Sequence, residues 1–393
     1  MAFEYINVKP ETSMNYYIMY KHYLRKHGYL IIMTKIMKGN IMFPYTKKYF
    51  NDIENVIKIG NDFSKMAGST VLITGCTGLI GSAVVDLLIC LNERYGLSIQ
   101  IVLATRNIKK LEQRFLNYLE KDYINIVPYD AEKEITFHVK KIDYIIHAAG
   151  NSHPSVFEKE PVETMKANFL GLLNLLEYIK ECNEGRLIYI SSSEIYGVFQ
   201  LGRKQPYLED EYGYIDILNP RSCYPSSKRA SETLLVSYIK EYGIDANVVR
   251  PGHIYGPTQT SSDSRASAQF LNNVLSGESI TMKSSGMQMR SYCHCMDCAS
   301  AILTVALNGE RGEAYNISNP KSLSSIRNFA QICSREAGRE VIYEMPTDSE
   351  VKSYNQMTFS ALDCAKLESL GWKAFYNLED GIKESIIILK NKK

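Results

Sequence analysis

A doubly wound α/β fold on a parallel sheet is what this sequence predicts, and three observations carry the prediction. From Ser69 onward, short β-branched runs alternate with stretches of helical period. A three-glycine turn joins the first run to the first of those stretches. The composition is that of a globular chain, 45% hydrophobic and 22% charged over 393 residues. The runs are Thr70–Thr74, Ile99–Ala104, Ile124–Val127, Tyr144–His147, Arg186–Ser191 and Ala246–Val249. Between them, Gly81–Leu91, Pro161–Cys182 and Pro225–Tyr242 read as amphipathic helices. Crossovers through helices make the strands parallel, and such sheets bind ligands at the strands' carboxyl ends, where the motifs below fall.

Charge is balanced, with 45 Lys plus Arg against 43 Asp plus Glu, which excludes a nucleic-acid binder and a disordered polyampholyte. The length accommodates two folded units, or one large nucleotide-binding unit with additions. Nine Cys, an odd number in a long chain, are no disulfide framework and point to a reducing, cytoplasmic setting. No membrane span is expected, because the apolar stretch Tyr29–Met33 is short and runs into Lys35 and Lys38. Nor does an apolar segment precede a small-residue cleavage site.

Residues 1–65 stand apart, with ten Lys plus Arg against five Asp plus Glu. Tyr16, Tyr17, Met19, Tyr20, Tyr23 and Leu24 have the spacing of a helix that buries one face. A helical extension that packs on the rest is expected, with a membrane-surface or partner-docking helix as the alternative. The division that follows is 1–65 extension, 66–250 dinucleotide-binding domain with later returning segments, and 251–393 mainly a smaller α/β substrate domain.

The first motif is Thr74-Gly75-Cys76-Thr77-Gly78-Leu79-Ile80-Gly81, placed between a strand and a helix. Gly75 permits the tight turn, Gly78 lets a pyrophosphate approach the backbone, and Gly81 lets the helix pack closely on the sheet. The helix N-terminus then offers free N–H groups and a positive dipole to phosphate, which makes this a Rossmann turn. After the second strand stands Thr105-Arg106-Asn107, with no carboxylate for a ribose diol. Arg106 can pair with a 2′-phosphate, which tilts the cofactor from NAD towards NADP without settling it, or it is a solvated surface residue. Asp130, after the third strand, reads as an acceptor for an adenine amino group or as a cap.

The second motif is Ser191-Ser192-Ser193-Glu194 at a strand end, followed by Tyr224-Pro225-Ser226-Ser227-Lys228. Tyr and Lys four apart project from one helical face. A Lys ammonium one turn away favours the phenolate, so Tyr224 is expected to act as a base near neutral pH, with Ser192 on the same substrate oxygen.

Together these residues resemble the extended short-chain dehydrogenases/reductases of the NAD-dependent epimerase/dehydratase type, which modify nucleotide sugars. The resemblance spans about Ser69 to Ile386. It also rests on His147-Ala148-Ala149-Gly150, on Asn168 with Gly171 and Asn174, and on Arg250-Pro251 leading to Tyr255-Gly256-Pro257. Arg290 through Asp297, Tyr315-Asn316-Ile317 and Leu370-Gly371-Trp372 fit as well. It implies that Gly75, Thr77, Gly78, Leu79, Ile80, Ala148, Ala149, Gly150 and Pro251 surround NAD or NADP, and that Lys228 binds its ribose. It further implies a nucleotide diphosphate sugar as substrate and a homodimer through Pro161–Cys182 and Pro225–Tyr242. In such enzymes Tyr224 would take the 4-hydroxyl proton while hydride leaves C4.

The resulting 4-keto sugar can lose carbon dioxide, lose water or be inverted. Ser193-Glu194 resembles UDP-glucuronate decarboxylases and a branch of the 4,6-dehydratases, in which Glu194 would act at C5 and Ser193 assist at C6. Glu194 reads otherwise as a loop-positioning carboxylate. A 4-epimerase or reductase, or a non-catalytic dinucleotide-binding scaffold in polysaccharide biosynthesis, is the alternative. His253 stands where relatives place Asn, and it reads as a substrate contact or a structural imidazole. His153 reads as a substrate contact or a loop residue, and Arg265 and Arg290 are candidates for the pyrophosphate. A metal site in Cys293-His294-Cys295-Met296-Asp297-Cys298 is rejected, since a strand running into a helix would point these side chains apart and no second pair follows.

Overall fold

The computed structural model describes residues 43–60, 62–198, 203–345 and 358–391, so the aromatic stretch Tyr16–Leu24 lies outside the described residues. The strands are β1 (Thr70–Thr74), β2 (Gln100–Thr105), β3 (Ile124–Pro128), β4 (Tyr144–His147), β5 (Arg186–Ile190) and β6 (Ala246–Pro251). Then come β7 (His253–Tyr255), β8 (Ile280–Met282), β9 (Met289–His294), β10 (Ala314–Ile317), β11 (Leu323–Ser325), β12 (Val341–Tyr343) and β13 (Phe359–Ser360). Seven of these form one parallel sheet in the order β10-β6-β5-β4-β1-β2-β3. The order reverses between β1 and β4, and that reversal opens a crevice at the strands' carboxyl ends.

The helices are α1 (Lys47–Lys58), α2 (Leu79–Tyr95), α3 (Ile108–Phe115), α4 (Pro154–Lys159), α5 (Pro161–Cys182) and α6 (Cys223–Tyr242). They continue as α7 (Ala266–Ser276), α8 (Cys295–Asn308), α9 (Ile326–Ala337), α10 (Ala365–Ser369) and α11 (Leu378–Lys390). Strand side chains alternate between two cores. Val71, Ile73 and Ile146 face α2 and α8, whereas Leu72, Ile145 and Val248 face α5 and α6. A third core, around Tyr255, Leu271, Phe329 and Ile382, lies under the smaller sheet in which β9 pairs with β7, β11 and β13. Because α8 and β10 pack back onto the large sheet, the later half of the chain belongs to both layers.

At the expected strand-to-helix passage, Cys293 lies one residue before the end of β9 and Cys295 opens α8, both fully buried. His294 caps the helix by accepting from the Met296 N–H at 3.3 Å. Burial holds its imidazole neutral, down to about 3.

The described part of the extension is a packing helix. Tyr49, Phe50, Ile53, Val56 and Ile57 of α1 are buried in the same core as α2 and α8. Its attachment is also polar. Asp86 of α2 is fully buried and forms an ion pair with Arg114 of α3. The Tyr45 and Tyr49 hydroxyls donate to that carboxylate at 2.8 and 2.5 Å, and the Arg114 guanidinium lies 3.8 Å over the Phe43 ring.

Removing one partner of a buried ion pair strands the other charge, so Asp86→Ala is expected to cost about 3–5 kcal/mol in urea unfolding. Tyr49→Phe leaves the carboxylate one donor short and is expected to cost about 1–3 kcal/mol in the same measurement.

Candidate active site

The turn after β1 is shaped by contacts that a side chain would destroy. Gly75 has φ +64°, and a Cβ there would lie 2.4 Å from the Ala148 carbonyl oxygen at the end of β4. A Cβ on Gly81 would lie 2.3 Å from the Gly75 oxygen. Gly78 caps α2 without a side-chain hydrogen bond, which leaves the first-turn N–H groups for a ligand. Bare backbone facing a helix N-terminus across a crevice fits a dinucleotide pyrophosphate.

Thr77, Leu79, Ile80, Ala149, Gly150 and Pro251 line the same cavity of about 530 Å³. Arg106 lies on its wall with an exposed side chain, 3.8 Å from the Asp130 carboxylate. That carboxylate accepts from the Glu132 N–H at 3.3 Å, so Asp130 caps the turn after β3, and it is not part of the lining. A 2′-phosphate at Arg106 would therefore also meet a negative charge.

The other end of the cavity carries the reactive groups. Ser192, Ser193 and Glu194 from the turn after β5 meet Tyr224 and Lys228 from α6. Asn168 of α5 donates to Ser227 at 3.3 Å, which ties α5 to α6 at the level of the tyrosine. The Lys228 ammonium donates to the Ile190 carbonyl at 2.8 Å and lies 5.9 Å from the Tyr224 ring centroid.

Burial dominates both groups. It pushes the Tyr224 phenol up to about 12 despite a Ser192 hydrogen bond that pulls it down, and it lowers the Lys228 ammonium to about 7. Desolvation is the larger effect on the phenol and outweighs the Ser192 hydrogen bond in the protein without its cofactor.

Glu194 does not stand free in the cavity. Both of its oxygens accept from the Arg221 guanidinium at 3.0 Å. Arg221 lies 5.0 Å over the Phe157 ring, and Phe157 stacks on Tyr224 at 4.5 Å.

The remaining predicted contacts divide. His253 lines the cavity with a buried Nδ1 that has no partner among the described residues, and burial together with the charges of Arg290 and Arg265 keeps it neutral. His153 and Arg265 also line it, but both turn to Asp263, whose carboxyl they hold well below its usual range against the cost of burial. Arg265 is thus a neutralised candidate for phosphate. Arg290 sits behind the lining, 4% exposed, donating to the Met289 carbonyl at 2.9 Å. It has no carboxylate partner among the described residues. A separate hollow of about 630 Å³ opens at the strands' amino ends, among Lys141, Glu184, Arg186 and Asp245, far from these groups.

A profile described as the NAD dependent epimerase/dehydratase family matches residues 71–318. The chain belongs to this family. A UDP-glucuronic acid decarboxylase 1 of Danio rerio is 28% identical over 80% of the chain and 71% of the relative. A UDP-glucuronic acid decarboxylase 6 of Arabidopsis thaliana is 26% identical over 79% and 86%. Among solved structures, a UDP-glucuronic acid 4-epimerase from Bacillus cereus, in complex with UDP-glucuronic acid and NAD, superposes with TM-score 0.69. It is 19% identical and covers 82% of this chain and 99% of that one, a likeness of fold.

Sequence reading missed Arg221 and Phe157. Pro220-Arg221-Ser222 precedes α6 with no periodicity to mark it. Phe157 belongs to a six-residue helix, too short for a hydrophobic pattern.

Two outcomes follow for this family member. Gly81→Ala must displace the glycine turn and is expected to weaken dinucleotide binding at least about 10-fold by calorimetry. Lys228 sheds its proton near pH 7 in the fold but near 10.5 when unfolded, so its burial penalises folding below about pH 7 and the penalty fades as pH rises towards 10.5. The melting-temperature difference of Lys228→Met from wild type is accordingly expected to be more favourable at about pH 6 than at about pH 9.

Proposed function

We propose that this enzyme oxidises the sugar of a nucleotide diphosphate hexuronate at C4, releases C6 as carbon dioxide, and returns the hydride to C4. The observation that carries the reading is Glu194 in one cavity with Ser192, Tyr224 and Lys228. Ser193-Glu194 is the pair that the decarboxylase resemblance requires, and decarboxylases stand among the curated relatives.

Bound at the glycine turn, NAD would supply the hydride acceptor for oxidation at C4. The α2 N-terminus would hold its pyrophosphate, and Lys228 its ribose. NAD is favoured over NADP by the Arg106–Asp130 pair. As the phenolate, Tyr224 would take the 4-hydroxyl proton, while Ser192 would donate to the same oxygen. With a ketone at C4, the C5–C6 bond breaks, carbon dioxide leaves, and the electron pair is delocalised onto the C4 oxygen. C5 then receives a proton from the side of Glu194. Tyr224 gives its proton back to the C4 oxygen as the hydride returns, so the net change is loss of carbon dioxide and uptake at C5 of one proton from solvent.

Arg290, a buried cation without a carboxylate partner among the described residues, is the better candidate for the substrate diphosphate, with His253 and the His153–Asp263–Arg265 group lining the sugar's side. Residues 66–250 supply most of the cofactor site and 251–393 most of the substrate site. Val162 and Met165 of α5 and Val236 and Tyr242 of α6 expose apolar surface, the face through which two copies would pair. The described part of the extension lies on the opposite layer and leaves that face clear. Nine free cysteines, eight of them buried, suit the cytoplasm. Among the described residues no helix is long and apolar enough to cross a membrane.

Incubation with UDP-glucuronate, UDP-glucose, dTDP-glucose, CDP-glucose or GDP-mannose and NAD, read by mass spectrometry, is expected to show carbon dioxide lost from the acid. Loss of water would instead make it a dehydratase, and an isomeric product an epimerase. Tyr224→Phe should lower turnover about 10²–10⁴-fold with unchanged circular dichroism, whereas a scaffold would show no turnover to lose. Sedimentation should give a dimer that Val236→Glu dissociates.

A further inference from the structure

Among the described residues Arg221 is the one charged group in ion-pair contact with Glu194, and its geometry is specific. Its two terminal nitrogens each donate to a different carboxylate oxygen at 3.0 Å. The fork is planar and the contact is bidentate, so it fixes the carboxylate's orientation as well as its position, which a lysine cannot do. The same guanidinium lies 5.0 Å over Phe157, whose ring stacks nearly parallel on Tyr224 at 15°. Arg221, Phe157 and Tyr224 therefore form a column, with Glu194 held at its outer end and the phenol at its inner end. The pair is 31% and 25% exposed, too open to contribute much to stability. An arrangement this specific that stabilises so little belongs to the chemistry.

We infer that Arg221 is a positioning residue that sets Glu194 for the step at C5, after C4 has been oxidised, and that the column through Phe157 keeps Glu194 in register with Tyr224. This rests on the proposed function. The electrostatics agree, since the Arg221 and Glu194 charges act on the Tyr224 phenol in opposite directions.

The inference separates the two half-reactions. In Arg221→Met, reduction of bound NAD by UDP-glucuronate, followed at 340 nm in a single turnover, is expected within about 3-fold of wild type, whereas release of carbon dioxide falls about 100-fold, the scale of a misplaced reacting group. KM should stay within about 3-fold, and Arg221→Lys, with the charge but not the fork, should lose about 10-fold. The melting temperature should be unchanged. Wild-type decarboxylation in Arg221→Met would overturn the inference, as would equal loss of both steps or a fall in melting temperature.

If the wild type never reduces its cofactor on the acid, the proposed reaction fails instead. The positioning is then judged from a crystal structure of Arg221→Met. Glu194 is expected to leave its place beside Ser192 there, and an unmoved Glu194 would refute the inference.

Discussion

Everything in the site depends on how closely the turn after β1 approaches the end of β4. Gly75 meets the Ala148 carbonyl at a distance that admits no Cβ, and Gly81 meets Gly75 in the same way. Those contacts bring the bare end of α2 to the point where the strand order reverses. Ser192 and Glu194, after β5, and Tyr224 and Lys228, on α6, face one cavity with the glycines. A methyl group at either position would separate a cofactor from the residues meant to work beside it.

Desolvation is the second constraint, and it acts on structure and chemistry alike. Asp86 is tolerated in the core because Arg114 and two tyrosines surround it. Asp297, pushed up to about 7 by burial, is held by the N–H groups of Phe375 and Tyr376. Near the reaction the same force leaves Tyr224 a poor base and Lys228 a weak cation in the protein alone. Glu194, by contrast, stays at the rim and has its own guanidinium.

The sheet was legible because its strands are β-branched runs separated by helices: of the six expected runs, those at β1 and β4 are identical to the strands and the other four agree within two residues at each end. The seventh strand, β10, showed only as the motif Tyr315-Asn316-Ile317, since a four-residue strand carries little periodicity. Within the site, residues whose role is backbone geometry or one-face spacing were readable, which covers the glycines and the Tyr224/Lys228 pair. Partnerships made by tertiary packing were not. Nothing local shows that Arg106 spends its charge on Asp130, or that Glu194 is gripped from the segment before α6.

The path of the chain between the two sheets has a mechanical consequence. It leaves the large sheet after β6 for β7, returns from β9 through α8 to β10, and leaves again for β11. Three covalent passages tie the walls of the crevice together, two of them side by side where the Gly252 N–H donates to the Ile317 carbonyl at 2.9 Å, and this restrains their relative motion. Restrained walls would retain a dinucleotide at the glycine turn while a small substrate exchanges at the mouth of the cavity. That permanence suits a cycle in which the carrier ends each round in the oxidation state in which it began.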